Sequence, residues 1–132
     1  AKIEARREGG LLYTVVMEFR RPATSWTAEL VERGSWVSIL NPSPSAVEVT
    51  LHLWDDKVTS DKQIRGGPKP FTRTFVVGGG SVYSEFVEVL FPQITNGRLE
   101  VWSPTPIVVS ALQRTEGLVT ALPVSAGRIA KQ

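Results

Sequence analysis

The sequence predicts an all-β fold, an antiparallel β-sandwich of about eight short strands with immunoglobulin-like or jelly-roll-like topology. Most of the chain consists of short runs rich in β-branched and aromatic residues, many of them alternating with polar residues, as is typical of strands. Clusters of Gly, Pro, Asn and Ser separate these runs and suit tight turns. Several short strands with this spacing favour an antiparallel sandwich or barrel over a βαβ fold.

The composition is that of one globular domain. The chain has 132 residues, of which 42% are hydrophobic and 21% charged, so it can bury a core without disulfides or metals. Cysteine is absent, which excludes disulfides, thiolate metal sites and cysteine nucleophiles. No apolar run approaches the roughly 20 residues of a membrane-spanning helix. The net charge of +2 gives no strong field, so we expect neither a transmembrane segment nor a nucleic-acid partner.

The first third of the chain is less regular than the rest. Residues 1–10, AKIEARREGG, are charged and end in two glycines, which predicts an N-terminal tail followed by a single sandwich domain over residues 11–132. The run LLYTVVMEF predicts the first strand of that domain. Residues 20–35 lack period-two alternation, which predicts a long connection with a helical turn at residues 27–33.

Regular alternation begins at Trp36 and continues almost to the C-terminus. The predicted strands are WVSIL, VEVTLHLW, FTRTFVV, SVYSEFVEVL, GRLEVW, IVVSALQR and LVTALPV. The segments NPSPS, RGGPKP, VGGGS, TNG and SPTP predict the turns between them. Because side chains alternate between the two faces of a strand, one parity predicts the core. The predicted core residues are Val37, Ile39, Val49, Leu51, Leu53, Leu99 and Val101.

Three tryptophans fall on the opposite, polar side of their strands. Exposed aromatic patches tend to mark partner surfaces, and tryptophan is enriched among the residues that dominate binding energy. The outward residues therefore form a candidate binding or interface set: Trp36, His52, Trp54, Arg98, Glu100 and Trp102. Alternatively, a second sheet, the N-terminal segment or a bulge covers these side chains, since a one-residue register slip reverses the faces.

Two kinds of partner suit such a surface. One is another copy of the chain, because a symmetric contact removes the indole area of both copies from water. The other is a carbohydrate, whose apolar ring face an indole can cover; Trp54 and Trp102 are the candidates. The loops at residues 41–45 and 55–70 complete the predicted binding surface.

The sequence offers little for catalysis. His52 is the sole histidine, and neither a nucleophile nor an orienting carboxylate is marked beside it, so a solvated strand histidine is the simpler interpretation. Glu85 and Glu88 are three residues apart on a predicted strand and so point to opposite faces, unlike a paired acid and base. We expect no enzyme activity and no catalytic residues.

Cofactor and metal sites find equally little support. The VGGGS segment lacks the following Lys-Ser/Thr of a phosphate-binding loop and predicts a flexible turn. Asp55, Asp56 and Asp61 offer oxygens that a calcium ion could use, but their spacing is not that of an EF-hand, and a charged hairpin is the alternative. We therefore predict neither a cofactor nor a metal.

Three segments together resemble the sensory rhodopsin transducer family: SWVSILNPSPSAVEVTLHLWDD, FVVGGGSVYSEF and LEVWSPTPIVVSALQR. The resemblance covers residues 36–130. Its main positions are Ile39, Leu40, Asn41, Pro106, Ile107, Val108 and Val109. It implies a small β-sandwich that assembles as a homotetramer, with a dimer as the second possibility, and that acts through protein contacts without catalysis.

The same pattern is also similar to immunoglobulin-like domains of secreted bacterial proteins, which have adhesion or spacer roles. The resulting prediction is a non-catalytic interaction or assembly module that self-associates through its sheet faces. The alternative is a carbohydrate-binding or adhesion module. The first implies a cytoplasmic protein and the second an extracellular one.

Overall fold

The structure is a computed structural model that describes residues 2–7, 10–16, 21–56 and 69–127. Ten strands lie in these residues, and every strand pair among them is antiparallel. The strands are β1 (Lys2–Arg7), β2 (Gly10–Val16), β3 (Ala23–Glu32), β4 (Ser35–Leu40), β5 (Val47–Asp55), β6 (Phe71–Val77), β7 (Val82–Phe86), β8 (Asn96–Thr115), β9 (Leu118–Ala121) and β10 (Val124–Ala126). A one-turn helix, Val87–Leu90, follows β7. The all-β prediction is confirmed.

Strand β8 organises the sandwich because it belongs to two layers. Of its 20 residues, residues 96–102 pair with β3 and β5, and residues 108–115 pair with β4 and β9. Ile107, between them, lies opposite Ala23 of β3. The first layer has the order β10-β3-β8-β5-β6, and the second has the order β7-β4-β8-β9. Buried side chains from both layers form one core cluster, so the two layers enclose a common interior.

The predicted core is confirmed. All seven residues of that set are no more than 1% exposed. The structure adds Trp26 from β3, Ile107 and Val109 from β8, and Val87 and Leu90 from the one-turn helix. Alternation along the strands therefore identified the inward side correctly in both layers.

Strand β3 corrects the prediction for residues 20–35, which was wrong. Residues 23–32 of this segment form a strand between β10 and β8, not a connection with a helical turn. The pairing register shifts between Ala28 and Val31, and Leu30 within this bulge has a φ of 62°. Ala28 and Val31 are consequently both buried although they are three residues apart. The bulge breaks the period-two pattern, which is why the sequence alone does not reveal the strand.

The prediction that SPTP is a turn between two strands is also wrong. Residues 103–106 lie inside β8, between its two paired halves. The Ser103 hydroxyl donates to the Thr105 carbonyl at 2.7 Å and accepts from the Thr105 amide at 3.3 Å. Two predicted strands are thus one continuous strand that passes from the first layer to the second.

At the N-terminus, β1 and β2 form a separate two-stranded sheet, with Lys2 opposite Val16. Residues 2–7 are therefore a strand where the sequence predicts part of a charged tail. Ile3 and Ala5 alternate with charged residues, and this pattern explains the difference. The domain boundary at residue 10 stays a prediction.

Asn41 fixes the turn between β4 and β5. This residue is fully buried, and its amide nitrogen donates to the carbonyls of Ser45, Val77 and Gly78 at 2.8, 3.1 and 3.2 Å. Its side-chain oxygen accepts from the Ser43 amide at 3.0 Å. One side chain thereby joins the NPSPS and VGGGS turns, so residue 41 has a structural role within the predicted binding loop.

The edge strands β6 and β7 meet across the two layers. The rings of Phe75 and Tyr83 lie with their centroids 4.3 Å apart and tilted by 34°. Arg73, also on β6, donates to the Leu90 carbonyl at 3.4 Å. These contacts close one side of the sandwich. No helix among the described residues is long and apolar enough to span a bilayer.

Candidate functional site

The register between β5 and β8 brings five of the six predicted site residues together. Trp54 lies opposite Arg98, and His52 lies opposite Glu100. Trp102 is two residues further along β8, on the same side of the first layer. We call the outer surface formed by His52, Trp54, Arg98, Glu100 and Trp102 the mixed face.

Three side chains of the mixed face hold one another in place. The Trp54 indole nitrogen donates to Glu100 Oε1 at 2.7 Å. The Arg98 guanidinium carbon lies 5.8 Å from the centroid of the Trp54 ring, a distance at which cation–π attraction operates. Arg98 Nε is 3.8 Å from Glu100 Oε2, with side-chain exposures of 44% and 12%. The cluster therefore presents one cation and one anion beside a fixed indole.

Small hydroxyl side chains surround this cluster. Thr27 and Thr72 continue the row that contains Glu100 and His52. In the next row Thr50 lies between Trp102 and Thr74, and the two threonine hydroxyls are 3.3 Å apart.

Trp102 is half-buried, and its ring nitrogen is fully buried. Among the described residues this indole N–H has no hydrogen-bond acceptor. Buried polar groups are nearly always paired, because leaving a donor unpaired costs the folded state free energy. The mixed face thus contains an unsatisfied donor at one end.

Trp36, the sixth predicted site residue, lies on the other layer. Its ring contacts Phe86 of β7 edge-on, with centroids 4.7 Å apart and planes at 79°. Trp36 also lies opposite Leu112 of β8. The structure therefore separates Trp36 from the mixed face.

The outer surface of the second layer is mostly apolar. Its central row contains Ser84, Ser38 and Ser110, and the first two hydroxyls are 2.8 Å apart. Apolar side chains lie on either side of this row. We call the surface formed by Trp36, Leu40, Val82, Phe86, Val108 and Leu112 the apolar face.

A cavity of about 160 Å³ lies at the Trp36 end of the apolar face. It is lined by Trp36, Phe86, Leu112, Arg114 and Val119. Sequence reasoning found Trp36 and missed the other four residues. They come from β7, β8 and β9, and only cross-strand register brings them beside β4.

The carboxylates considered for catalysis bind backbone amides. Glu85 accepts from the Phe86 amide and Glu88 from the Gly34 amide, both at 2.9 Å. The neighbouring phenol of Tyr83 has a raised pKa, chiefly because of burial and secondly because of the Glu85 carboxylate, whereas Arg73 opposes the shift. The two carboxylates thus hold nearby backbone amides, and the Tyr83 ring packs against Phe75.

Asp55, one of the three aspartates considered for a cation, is buried at the end of β5. Its carboxylate accepts from the Thr95 amide at 2.8 Å and from the Thr95 hydroxyl at 3.0 Å. Asp56 is exposed, and Asp61 lies outside the described residues. Within residues 21–56 and 69–127, no group of three or more His, Asp or Glu side chains could hold a metal ion.

No family model and no curated protein matches this chain. Solved structures do match it. The Anabaena sensory rhodopsin transducer is 17% identical, with a TM-score of 0.57 over 72% of this chain and 90% of that chain. Thermotoga maritima 1070 is 13% identical, with a TM-score of 0.56 over 77% of this chain and 94% of that chain. At such identities the similarity shows the fold, so the resemblance to the transducer is confirmed at the level of fold.

Proposed function

We propose that this chain is a non-catalytic protein-interaction module that self-associates through the mixed face. The observation that carries the proposal is the register of β5 and β8, which gathers two half-buried tryptophans, an arginine and a glutamate on one surface. Tryptophan and arginine are enriched at the energetic centres of protein interfaces. His52 lies opposite Glu100, but the Glu100 carboxylate accepts from the Trp54 indole nitrogen and lies beside Arg98, which supports an interaction surface over an acid–base pair.

A second copy of the chain suits the mixed face because its charges are balanced. Arg98 and Glu100 carry opposite charges 3.8 Å apart. In a two-fold contact the same patch serves both partners, so each copy can offer its cation to the other copy's anion. Removing the indole surfaces of Trp54 and Trp102 from water contributes about 25 cal/mol for each Å² buried.

The structural comparisons support a role that depends on protein contacts. The Anabaena protein is named as a transducer of sensory rhodopsin, and 90% of it is covered by the match. The sequence resemblance to that family makes a homotetramer the first expectation and a dimer the second.

Charge substitution at the mixed face tests the proposal. The wild-type chain should scatter light as a multiple of its 14.5 kDa mass. Trp54→Glu or Trp102→Glu should reduce that mass while circular dichroism remains that of a β-protein. Val82→Glu is the matched control, because Val82 is 60% exposed on the opposite layer. A wild-type chain that is monomeric at high micromolar concentration would contradict the proposal.

A carbohydrate-binding module is the second candidate, because the two indoles lie beside polar groups that sugar hydroxyls could bind. Arg98 over the Trp54 ring competes with a sugar for that ring. A glycan array followed by tryptophan fluorescence separates the candidates. Saturable quenching that Trp54→Ala abolishes and Val82→Glu preserves would favour the carbohydrate module over self-association.

A further inference from the structure

We propose that the cavity at the Trp36 end of the apolar face binds a free, small aromatic carboxylate. This site is independent of the proposed self-association, because it lies on the opposite layer of the sandwich. Four features support it: the size of the cavity, the aromatic pair in its wall, the cation beside it, and the backbone pairing around it.

The cavity has the size of one ring. Its volume of about 160 Å³ is close to the roughly 150 Å³ of an enclosed apolar cavity that binds benzene in another protein, although this cavity is open to solvent on one side. Apart from Arg114, the lining side chains are Trp36, Phe86, Leu112 and Val119. None of these four offers a charge, so they favour an apolar ring over a polar ligand.

The aromatic pair in the wall favours a flat ring. Trp36 and Phe86 meet edge-to-face, with planes at 79°. Two nearly perpendicular rings offer one face and one edge to a third ring, and both offset-stacked and edge-to-face contacts are favourable. An aromatic ligand can therefore contact both residues without displacing either.

Arg114 specifies the charge of the ligand. It is exposed, and its guanidinium forms no ion pair or hydrogen bond among the described residues. Its backbone, in contrast, is paired: the amide donates to the Gly34 carbonyl at 3.4 Å. A guanidinium with its donors available binds a carboxylate through two parallel hydrogen bonds. The ligand should thus carry a carboxylate next to its ring.

The surrounding backbone favours a free molecule over a peptide. The cavity lies on the surface of the second layer, where β4 pairs with both β7 and β8, and β8 pairs with both β4 and β9. β7 and β9 are the edge strands of this layer, but backbone N–H and C=O groups point along the sheet toward neighbouring strands and not out of its face. A peptide backbone lying across the face would therefore find few partners at the cavity, whereas a single-ring acid needs none.

Benzoate titrated into the full chain tests the proposal, with benzamide as the neutral probe of the same shape. Indole signals in ¹H–¹⁵N NMR spectra, assigned by loss of the Trp36 signal in Trp36→Phe, report the site. We expect a saturable shift of the Trp36 indole with benzoate and weaker binding of benzamide. Arg114→Gln should weaken benzoate binding about tenfold, since hydrogen bonds to a charged group are lost, and should leave benzamide unchanged.

Arg21→Gln is the matched control, because it removes an exposed arginine that neither lines the cavity nor belongs to the mixed face. It should leave benzoate binding unchanged. The proposal is overturned if benzoate produces no saturable shift up to its solubility limit, or if Arg21→Gln weakens binding as much as Arg114→Gln. A peptide ending in phenylalanine that binds more tightly than benzoate would overturn the assignment to a free molecule.

Discussion

The two outer faces of the sandwich differ in how their side chains are held. On the mixed face, Trp54 is fixed by a hydrogen bond to a carboxylate and lies under a guanidinium. On the apolar face, Trp36 is fixed by an edge-on contact with Phe86. Each tryptophan is half-buried on a central strand of its layer. The same residue type in the same kind of position is therefore anchored by polar contacts on one side and by ring packing on the other.

The two proposals assign each face a different kind of partner. Fixed charges of both signs suit a large partner that offers complementary charges, because charge pairs give specificity when they are held in register. A shallow apolar cavity with one arginine suits a small molecule with one ring and one negative charge. One sandwich can thus carry two independent surfaces on a shared core.

Gly97→Ala should have the largest effect on stability, because it acts on the backbone under the mixed face. A Cβ at this position would lie 2.2 Å from the Trp54 carbonyl oxygen, so β5 and β8 must separate. We expect a loss of about 3 kcal/mol in the free energy of unfolding, measured by urea denaturation. At Gly80, a turn with a φ of 67° and no atom within 4 Å, Ala should cost only about 1 kcal/mol. Equal losses would show that strand spacing is not critical here.

Glu100→Ala should separate polar anchoring from ring packing. It removes the acceptor of the Trp54 indole nitrogen and the partner of Arg98. Since the site is partly exposed, we expect a loss of about 1 to 2 kcal/mol in the free energy of unfolding. Ser84→Ala removes only a neutral hydroxyl contact to Ser38 from the other face and should cost less than about 1 kcal/mol. The reverse order in denaturation experiments would contradict this account of the mixed face.

The fold from Trp36 onward could be predicted because alternation there is regular. It was not predictable where backbone irregularities interrupt the pattern. In β3 the bulge at Leu30 places two buried residues three positions apart. In β8, Pro104 and Pro106 imitate a turn, since proline cannot donate to a neighbouring strand. They are tolerated because they lie where β8 exchanges one set of partners for another.

The candidate sites show a similar limit. Alternation identifies which residues of one strand point outward, as it did for Trp54 and Trp102. It does not tell which strands are neighbours. The outward residues were therefore predicted as one surface, whereas the structure places Trp36 on the other layer. The cavity beside Trp36 was missed because its lining depends on four strands. Cross-strand register is set only in the assembled sheet, where β8 pairs with strands of both layers.

A double-mutant cycle tests whether ring packing anchors the apolar face. Trp36→Leu and Phe86→Leu each remove one ring of the edge-on pair. We expect a coupling of about 1 kcal/mol in the free energy of unfolding, which is typical of aromatic pairs in this geometry. Trp54 paired with Phe86 in a second cycle should show no coupling, because the two residues lie on different layers. Strictly additive losses for Trp36 and Phe86 would mean that ring packing does not anchor this face.

Tyr83→Phe should have the smallest effect, and it concerns the side where the two layers meet. The Tyr83 ring contacts Phe75 of the other layer, and burial together with Glu85 raises the pKa of its phenol. The folded chain therefore keeps this proton at a pH where the unfolded chain, with an ordinary tyrosine pKa of about 10, has released it. Stability from the neutral phenol is present below about pH 10 and is lost as the pH rises through the higher folded-state pKa.

The free energy of unfolding should accordingly fall less steeply above about pH 10 in Tyr83→Phe than in the wild type, as urea denaturation at a series of pH values would reveal. Identical slopes would mean that the layers meet at Tyr83 without constraining its ionisation.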